Sequence, residues 1–262
     1  MTDVQLIACD LDGTLLPNGL KMPTERALHL ITQLEERGIL FFAASGRQLA
    51  SLKRLFGPVA DSIGYLCENG ALVVRDDETL SCRTFPRAQA LAICRAVLAY
   101  PGADLLISCP SATYVRAERT AFADELRTIV KNDVATFTSL DELREPIIKI
   151  AFQLDHEALP AAIAHFTALF GDAFDVVTSG HTWIDFLLKG VNKGTALEAV
   201  SARLAIPLSR IAAFGDNEND RAMLTVAGHP YLMETCNPSM RDLAPRVSFT
   251  ASVEDEIARM LA

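Results

Sequence analysis

The amino-acid sequence predicts an α/β protein: a doubly wound core with a parallel sheet, interrupted by an inserted α+β domain. Three observations predict it. Both ends of the chain alternate short apolar runs with patterns of helical period. The apolar runs at the ends are nearly continuous, as strands covered on both faces require. The middle of the chain instead sets apolar runs side by side with only a turn between them, which is a hairpin signature.

Val4 to Cys9 reads as a buried strand. Pro23 to Arg37 reads as a helix with Ala27, Leu28, Ile31 and Leu34 on one face and Gly38 as its stop. Ile39 to Ala44 is a second strand, Gln48 to Phe56 a helix and Tyr65 to Cys67 a third strand. The rhythm resumes late in the chain with a helix from Lys193 to Ala205, a strand from Ile211 to Phe214 and a helix from Asn219 to Ala227. Tyr231 to Met233 and Val247 to Phe249 are short strands, and Val253 to Leu261 is a closing helix. Between about Thr84 and Leu187 lie helical patterns at Pro86 to Tyr100, Arg119 to Lys131 and Glu157 to Phe170. Strand-like runs sit at Leu105 to Ser108, Thr113 to Val115, Ile147 to Leu154, Phe174 to Thr178 and Trp183 to Leu187, with turns at Cys109-Pro110-Ser111 and Ser179-Gly180-His181. The expected division is 1–83 and 188–262 for the core and 84–187 for the insertion.

The 262 residues suffice for two cores, and a chain half hydrophobic and 22% charged is globular, not disordered. A net charge of −9 argues against a sequence-independent nucleic-acid binder, which needs clustered Lys and Arg. Six scattered cysteines show no C-x-x-C pair and no zinc spacing, so they read as reduced thiols. With no run long enough to span a membrane and no secretory pattern in the opening residues, a soluble, cytoplasmic protein is the expectation.

Four polar groups fall where strands end and loops lead into helices, the usual ligand-binding edge of an open parallel sheet. They are Asp10-Leu11-Asp12-Gly13-Thr14, Ser45-Gly46-Arg47, Lys193 at a helix start, and Gly215-Asp216-Asn217-Glu218-Asn219-Asp220. Each alone has an ordinary reading: a solvated turn, an N-cap or a surface lysine. A calcium loop is out, because Thr14 and Lys21 stand where acidic ligands are required. Together, Asp10, Asp12 and Asp216 are expected to converge, and such a cluster implies a hard divalent cation. Oxygen-only ligands beside a phosphate favour Mg2+. Ser45 and Gly46 at a helix start suit phosphate oxygens, and Lys193 adds a point charge.

The order D-x-D-G-T-L, S-G-R, a lysine in K-G, then G-D-x-x-N-D resembles the haloacid dehalogenase superfamily of phosphatases. More closely it is similar to the Cof-type branch with an α/β cap (type IIB), which Glu68-Asn69-Gly70-Ala71 also matches. The resemblance implies a Rossmann-like core and a magnesium-dependent phosphatase acting on small phosphate monoesters, sugar phosphates foremost. It implies that Asp10 is the nucleophile, forming an aspartyl-phosphate, and Asp12 the general acid and base. The metal would be held by Asp10, by Asp12 through its carbonyl and by Asp216, with Asp220 orienting that shell. Leu11, Ser45, Gly46, Lys193 and Asn219 would hold the phosphoryl oxygens. The insertion would act as a lid, and Arg47, Glu68, Asn69, His181 and Asp185 are candidate substrate contacts, with Trp183, Arg116 and Lys149 beside them. The expected partner is a small-molecule phosphate ester; neither a nucleic acid nor a membrane is expected. Leu232 to Asn237 and Thr250 to Asp255 depart from the branch's usual segments, which bears on substrate and not on the four motifs. A hexose phosphomutase shares the same covalent chemistry, and a phosphate-sensing receiver also clusters aspartates but has about half this length and no insertion.

Overall fold

The computed structural model describes residues 3–179 and 182–262. The chain divides into two compact units, Met1–Cys82 with Asn192–Ala262, and Arg83–Val191.

In chain order, the first unit opens with β1 (Leu6–Asp10), buried at all five positions. Thr24 then caps α1 (Glu25–Glu36) by accepting the Ala27 N–H at 3.0 Å. The apolar face of α1 buries Ala27, Leu30, Ile31 and Leu34. Next come β2 (Leu40–Ala44), α2 (Leu49–Phe56) and β3 (Gly64–Cys67). Two strands follow that periodicity did not reveal, β4 (Leu72–Arg75) and β5 (Glu78–Cys82). They form a hairpin through Asp76 and Asp77, both at positive φ, as a two-residue primed turn demands.

The second unit contains α3 (Arg87–Leu98), β6 (Asp104–Ser108), β7 (Thr113–Arg116), α4 (Thr120–Glu125), β8 (Val134–Phe137), β9 (Lys149–Gln153), α5 (Leu159–Phe170), β10 (Phe174–Ser179) and β11 (Trp183–Leu188). Its sheet runs β10-β11-β9-β6-β7-β8, antiparallel except for the parallel β7–β8 pair. A core of Phe152, Phe166, Phe186 and Ile107 packs this sheet against α3 and α5. A smaller cluster of Phe122, Leu126, Leu106 and Val115 packs α4 on the opposite face.

The chain returns to the first unit with α6 (Lys193–Leu204), β12 (Ile211–Gly215), α7 (Arg221–Val226), β13 (His229–Met233), β14 (Ser248–Thr250) and α8 (Val253–Leu261). The eight strands lie in the order β14-β13-β12-β1-β2-β3-β4-β5. They are parallel from β14 to β3, and β4 and β5 add an antiparallel edge. The mixed edge modifies the expected parallel sheet, because the short connections from β3 to β4 and from β4 to β5 can only reverse the chain. α6 and α7 cover one face through Leu197, Val200, Met223 and Leu224, and α1 packs beside α8 on the other. Burying each such side chain stabilises the fold by about 1.5–3 kcal/mol. Strand order reverses between β1 and β12, so their carboxyl ends flank the crevice where α/β proteins bind ligands.

Glu35 ties three elements together. It accepts the Phe41 N–H at 2.8 Å and the Arg75 guanidinium at 2.9 Å, while Arg75 lies 5.9 Å over the Phe42 ring. Glu35→Ala leaves a half-buried guanidinium and a β2 amide without this acceptor, so urea unfolding should show a loss of about 2–4 kcal/mol.

Five of the six cysteines are buried, and Cys82 alone is half-buried. Burial pushes Cys94 and Cys109 up to about 12 and Cys9 and Cys67 well above the usual thiol range. Iodoacetamide at pH 8 should therefore modify Cys82 first, with the other five reacting only on unfolding, as mass spectrometry of the labelled peptides would read.

Candidate active site

β1 delivers Asp10 to the sheet's carboxyl edge, and the chain then folds into a closed turn. The Leu11 carbonyl accepts the Thr14 and Leu16 amides at 3.0 and 2.7 Å, and the Asp10 carbonyl accepts the Leu15 amide at 3.2 Å. Gly13 makes the turn possible with φ of 93°. A Cβ on Gly13 would stand 2.3 Å from Asp216 Oδ2, so the glycine also admits the acidic loop that follows β12.

The Asp216 loop is built by local hydrogen bonds. Asp220 Oδ2 accepts the Asp216 and Asn217 amides at 3.0 and 3.1 Å, and Asn217 forms a reciprocal capping box with Asp220. Thr14 donates to Asp216 Oδ1 at 3.0 Å, and the Asn237 amide donates to the Asp216 carbonyl at 2.8 Å. Thr14 and Asn237 were not singled out from the sequence. Thr14 stands inside the first motif, whereas Asn237 reads only as the cap of the turn at Pro238, with nothing local to pair it with Asp216.

Lys193 occupies the first turn of α6, held there by the Asn192 cap, which accepts the Thr195 amide at 3.0 Å. A cation at a helix N-terminus opposes the helix dipole, and this one is completely buried. Two carboxylates offset both costs: Lys193 Nζ lies 2.6 Å from Asp10 Oδ1 and 2.6 Å from Asp220 Oδ1. Burial pulls Lys193 down, but the attraction of Asp10 and Asp220 outweighs it and holds the ammonium above the usual lysine range. Burial pushes the Asp10 carboxyl up and outweighs the pull of Lys193, with repulsion from Asp220 and Asp216 adding to it. Asp216 is raised by burial and by Asp220.

Ligand oxygens of Asp10, Asp216 and Asp220 come within 4.8 Å of one another. Three carboxylates share one ammonium here, so the cluster holds excess negative charge that a divalent cation would neutralise. The all-oxygen donor set fits magnesium. The expected convergence of Asp10, Asp12 and Asp216 is corrected on one point. The Asp12 side chain is 60% exposed and outside the cluster, gripped by the Arg47 fork at 2.6 and 3.1 Å. The strand ends at Asp10, and the turn rotates Asp12 outward.

Ser45 is buried at the end of β2, its hydroxyl accepting the Arg47 amide at 3.3 Å. Glu68 is buried, and Asn69 accepts a hydrogen bond from the Asn219 side chain at 3.2 Å. The structure thus gathers Asp10, Asp12, Ser45, Gly46, Arg47, Glu68, Asn69, Lys193, Asp216, Asn219 and Asp220 within the first unit, at one edge of its sheet. Asp185 belongs to the second unit, buried on β11 with Lys149 3.2 Å from its Oδ2. Trp183 packs on Phe122 at 5.8 Å, and Arg116 pairs with Glu118. His181 lies outside the described residues.

The sequence matches the haloacid dehalogenase-like hydrolase family over residues 7–261. It is 25% identical over 240 residues to the 5-amino-6-(5-phospho-D-ribitylamino)uracil phosphatase YbjI of Escherichia coli strain K12, covering 90% of this chain and 88% of that one. The fold superposes on a crystal structure from Eubacterium rectale with a TM-score of 0.88 at 25% identity, over 98% and 99% of the two chains. On the subclass IIB sugar phosphatase BT4131 the TM-score is 0.78 at 17% identity, over 98% and 99%. Family, relatives and fold agree on a phosphoric monoester hydrolase: the chain belongs to the haloacid dehalogenase-like hydrolases.

Proposed function

We propose that this chain is a magnesium-dependent phosphatase for small phosphate monoesters, sugar phosphates foremost, working through a phosphoaspartate on Asp10. The observation that carries the reading is the buried Lys193 ammonium bridging Asp10 and Asp220 at 2.6 Å, beside Asp216. A bridge of this kind fixes one carboxylate oxygen of Asp10 and leaves the other for attack.

In the first half-reaction an Asp10 carboxylate oxygen attacks phosphorus, and the bond from phosphorus to the ester oxygen breaks. The departing oxygen takes a proton from Asp12, which is exposed and so reachable by a leaving group. In the second, Asp12 takes a proton from water as the water oxygen attacks phosphorus. The phosphorus bond to Asp10 then breaks and inorganic phosphate leaves. Lys193, Ser45, Gly46, the Leu11 backbone and Asn219 hold the phosphoryl oxygens, since phosphoryl transfer asks mostly for positioning and charge stabilisation. The Asp10 and Asp216 carboxylates and the Asp12 carbonyl would hold magnesium, which when bound would supply charge neutralisation for the phosphoryl group. Asp220 keeps its role one step back, because its two oxygens already take Lys193 and the backbone amides of Asp216 and Asn217. Arg47 aims the Asp12 carboxylate through its two-point grip.

Turnover of p-nitrophenyl phosphate and a sugar-phosphate panel should require magnesium and fall by about a thousandfold or more in Asp10→Asn. Hydrolysis that survives that substitution unchanged would sink the covalent mechanism. Lys193→Met should also abolish turnover and lower stability by about 3–5 kcal/mol, because two buried carboxylates then face each other without a cation. Adding Asp220→Asn to that variant should recover part of the stability and none of the activity, as chemical denaturation and the same assay would show.

A further inference from the structure

The connection between β3 and β4 is stranger than a hairpin needs. It has four residues, 68–71, and such loops are most often built around a type I turn, whose central residues keep φ negative. Here three consecutive residues take positive φ: Glu68 at 50°, Asn69 at 55° and Gly70 at 99°. The Asp76–Asp77 turn also has two such residues, but there the two-residue hairpin demands them. A glutamate held at positive φ costs about 1–2 kcal/mol and persists only where its surroundings dictate it.

Those surroundings are the three loops assigned above to the phosphoryl group. The Asn69 amide donates to the Ser45 carbonyl at 3.0 Å, and the Glu68 amide donates to the Arg47 carbonyl at 3.2 Å. The Asn69 side chain stands 3.1 Å from where a Cβ on Gly46 would be, and its Oδ1 takes the Asn219 side chain at 3.2 Å. Gly70 lies against the start of α6: a Cβ there would meet the Asn192 carbonyl at 2.5 Å and Ala196 Cβ at 2.9 Å. Three residues therefore touch the Ser45 loop, the Asn219 loop and the helix turn that carries Lys193.

We infer that Glu68-Asn69-Gly70 is a positioning element that sets these three loops in register, and that Asn69 acts on bound phosphate through Asn219; this rests on the phosphatase reading. Its backbone fixes the Ser45 and Lys193 arms, and the Asn69 side chain orients the Asn219 amide. Asn69 itself need not touch the substrate.

The test is binding of inorganic phosphate to the magnesium-loaded protein by calorimetry, in wild type, Asn69→Gly, Asn219→Ala and the double variant. Glycine keeps the positive φ, so Asn69→Gly removes the side chain alone. Each single variant should weaken phosphate binding about three- to tenfold. The double variant should be no weaker than Asn219→Ala, since residues acting in series do not add. Asn69→Ser, too short to reach Asn219, should behave in the same way and serves if the glycine variant folds poorly. A merely structural role would lower the melting temperature and leave the two effects multiplicative. Multiplicative effects, or wild-type affinity in Asn69→Gly, would overturn the inference while wild-type turnover upholds the phosphatase reading. A wild-type protein that neither binds phosphate nor hydrolyses p-nitrophenyl phosphate would bring down both.

Discussion

A single buried ammonium organises this molecule's chemistry. Lys193 Nζ sits between Asp10 and Asp220 with no exposed surface of its own, and each of the three groups would be intolerable without the others. An isolated charge in the interior costs several kcal/mol even after relaxation, and a bridge with good geometry can offset that cost. The bridge does more than cancel charge. It joins the first strand of the chain to a loop more than two hundred residues later, through a helix that starts between them in sequence. Any motion of α6, of the β1 turn or of the loop after β12 has to move through it.

The rest of the site follows from that constraint. Asp220 can hold Lys193 because its second oxygen is already committed to the loop's own amides, which makes the loop and the bridge one rigid object. Asn192 caps α6 and so places the buried Lys193 in its first turn. Gly13 lets the β1 turn and Asp216 approach to a distance no other residue would allow. The result is a cluster with surplus negative charge on one side and an exposed, Arg47-aimed carboxylate on the other. In the proposed mechanism that asymmetry would separate the group that attacks, Asp10, from the one that trades protons, Asp12.

Much of this was legible in the chain itself. Near-continuous apolar runs marked β1, β2, β3 and β12, because strands buried on both faces leave no room for alternation. The capping and turn residues around Lys193 and Asp216 carried their own local signals. What could not be read was whatever depends on a turn's rotation or on distant pairing. The β4–β5 hairpin is short and half polar, and its turn is Asp-Asp, not Asn-Gly. β8 (Val134–Phe137) is held by pairing with β7 and not by its own pattern. The helical pattern from Arg119 to Lys131 holds from Thr120 to Val130, but its second half, Leu126–Val130, widens into a π-helix that periodicity does not foretell. Asp12 sits two residues past Asp10, a spacing that keeps one face only while a strand continues, and the strand stops at Asp10. Asn237 supports the Asp216 loop from about twenty residues away through a backbone amide, which no motif encodes.

The division of the first unit into two stretches has a consequence for how the molecule is made. β1 lies between β2 and β12, so the centre of the large sheet stays open on one side until the chain has been synthesised past Gly215. The second unit is continuous from Arg83 to Val191 and has all of its strands by then. Domains fold as units as they emerge from the ribosome. The insertion is therefore the first part that can complete its own core, although it begins after the first five strands. Until Lys193 arrives, the nascent end of β1 carries Asp10 without its buried ammonium partner. The working edge of the enzyme is thus also the last seam to close.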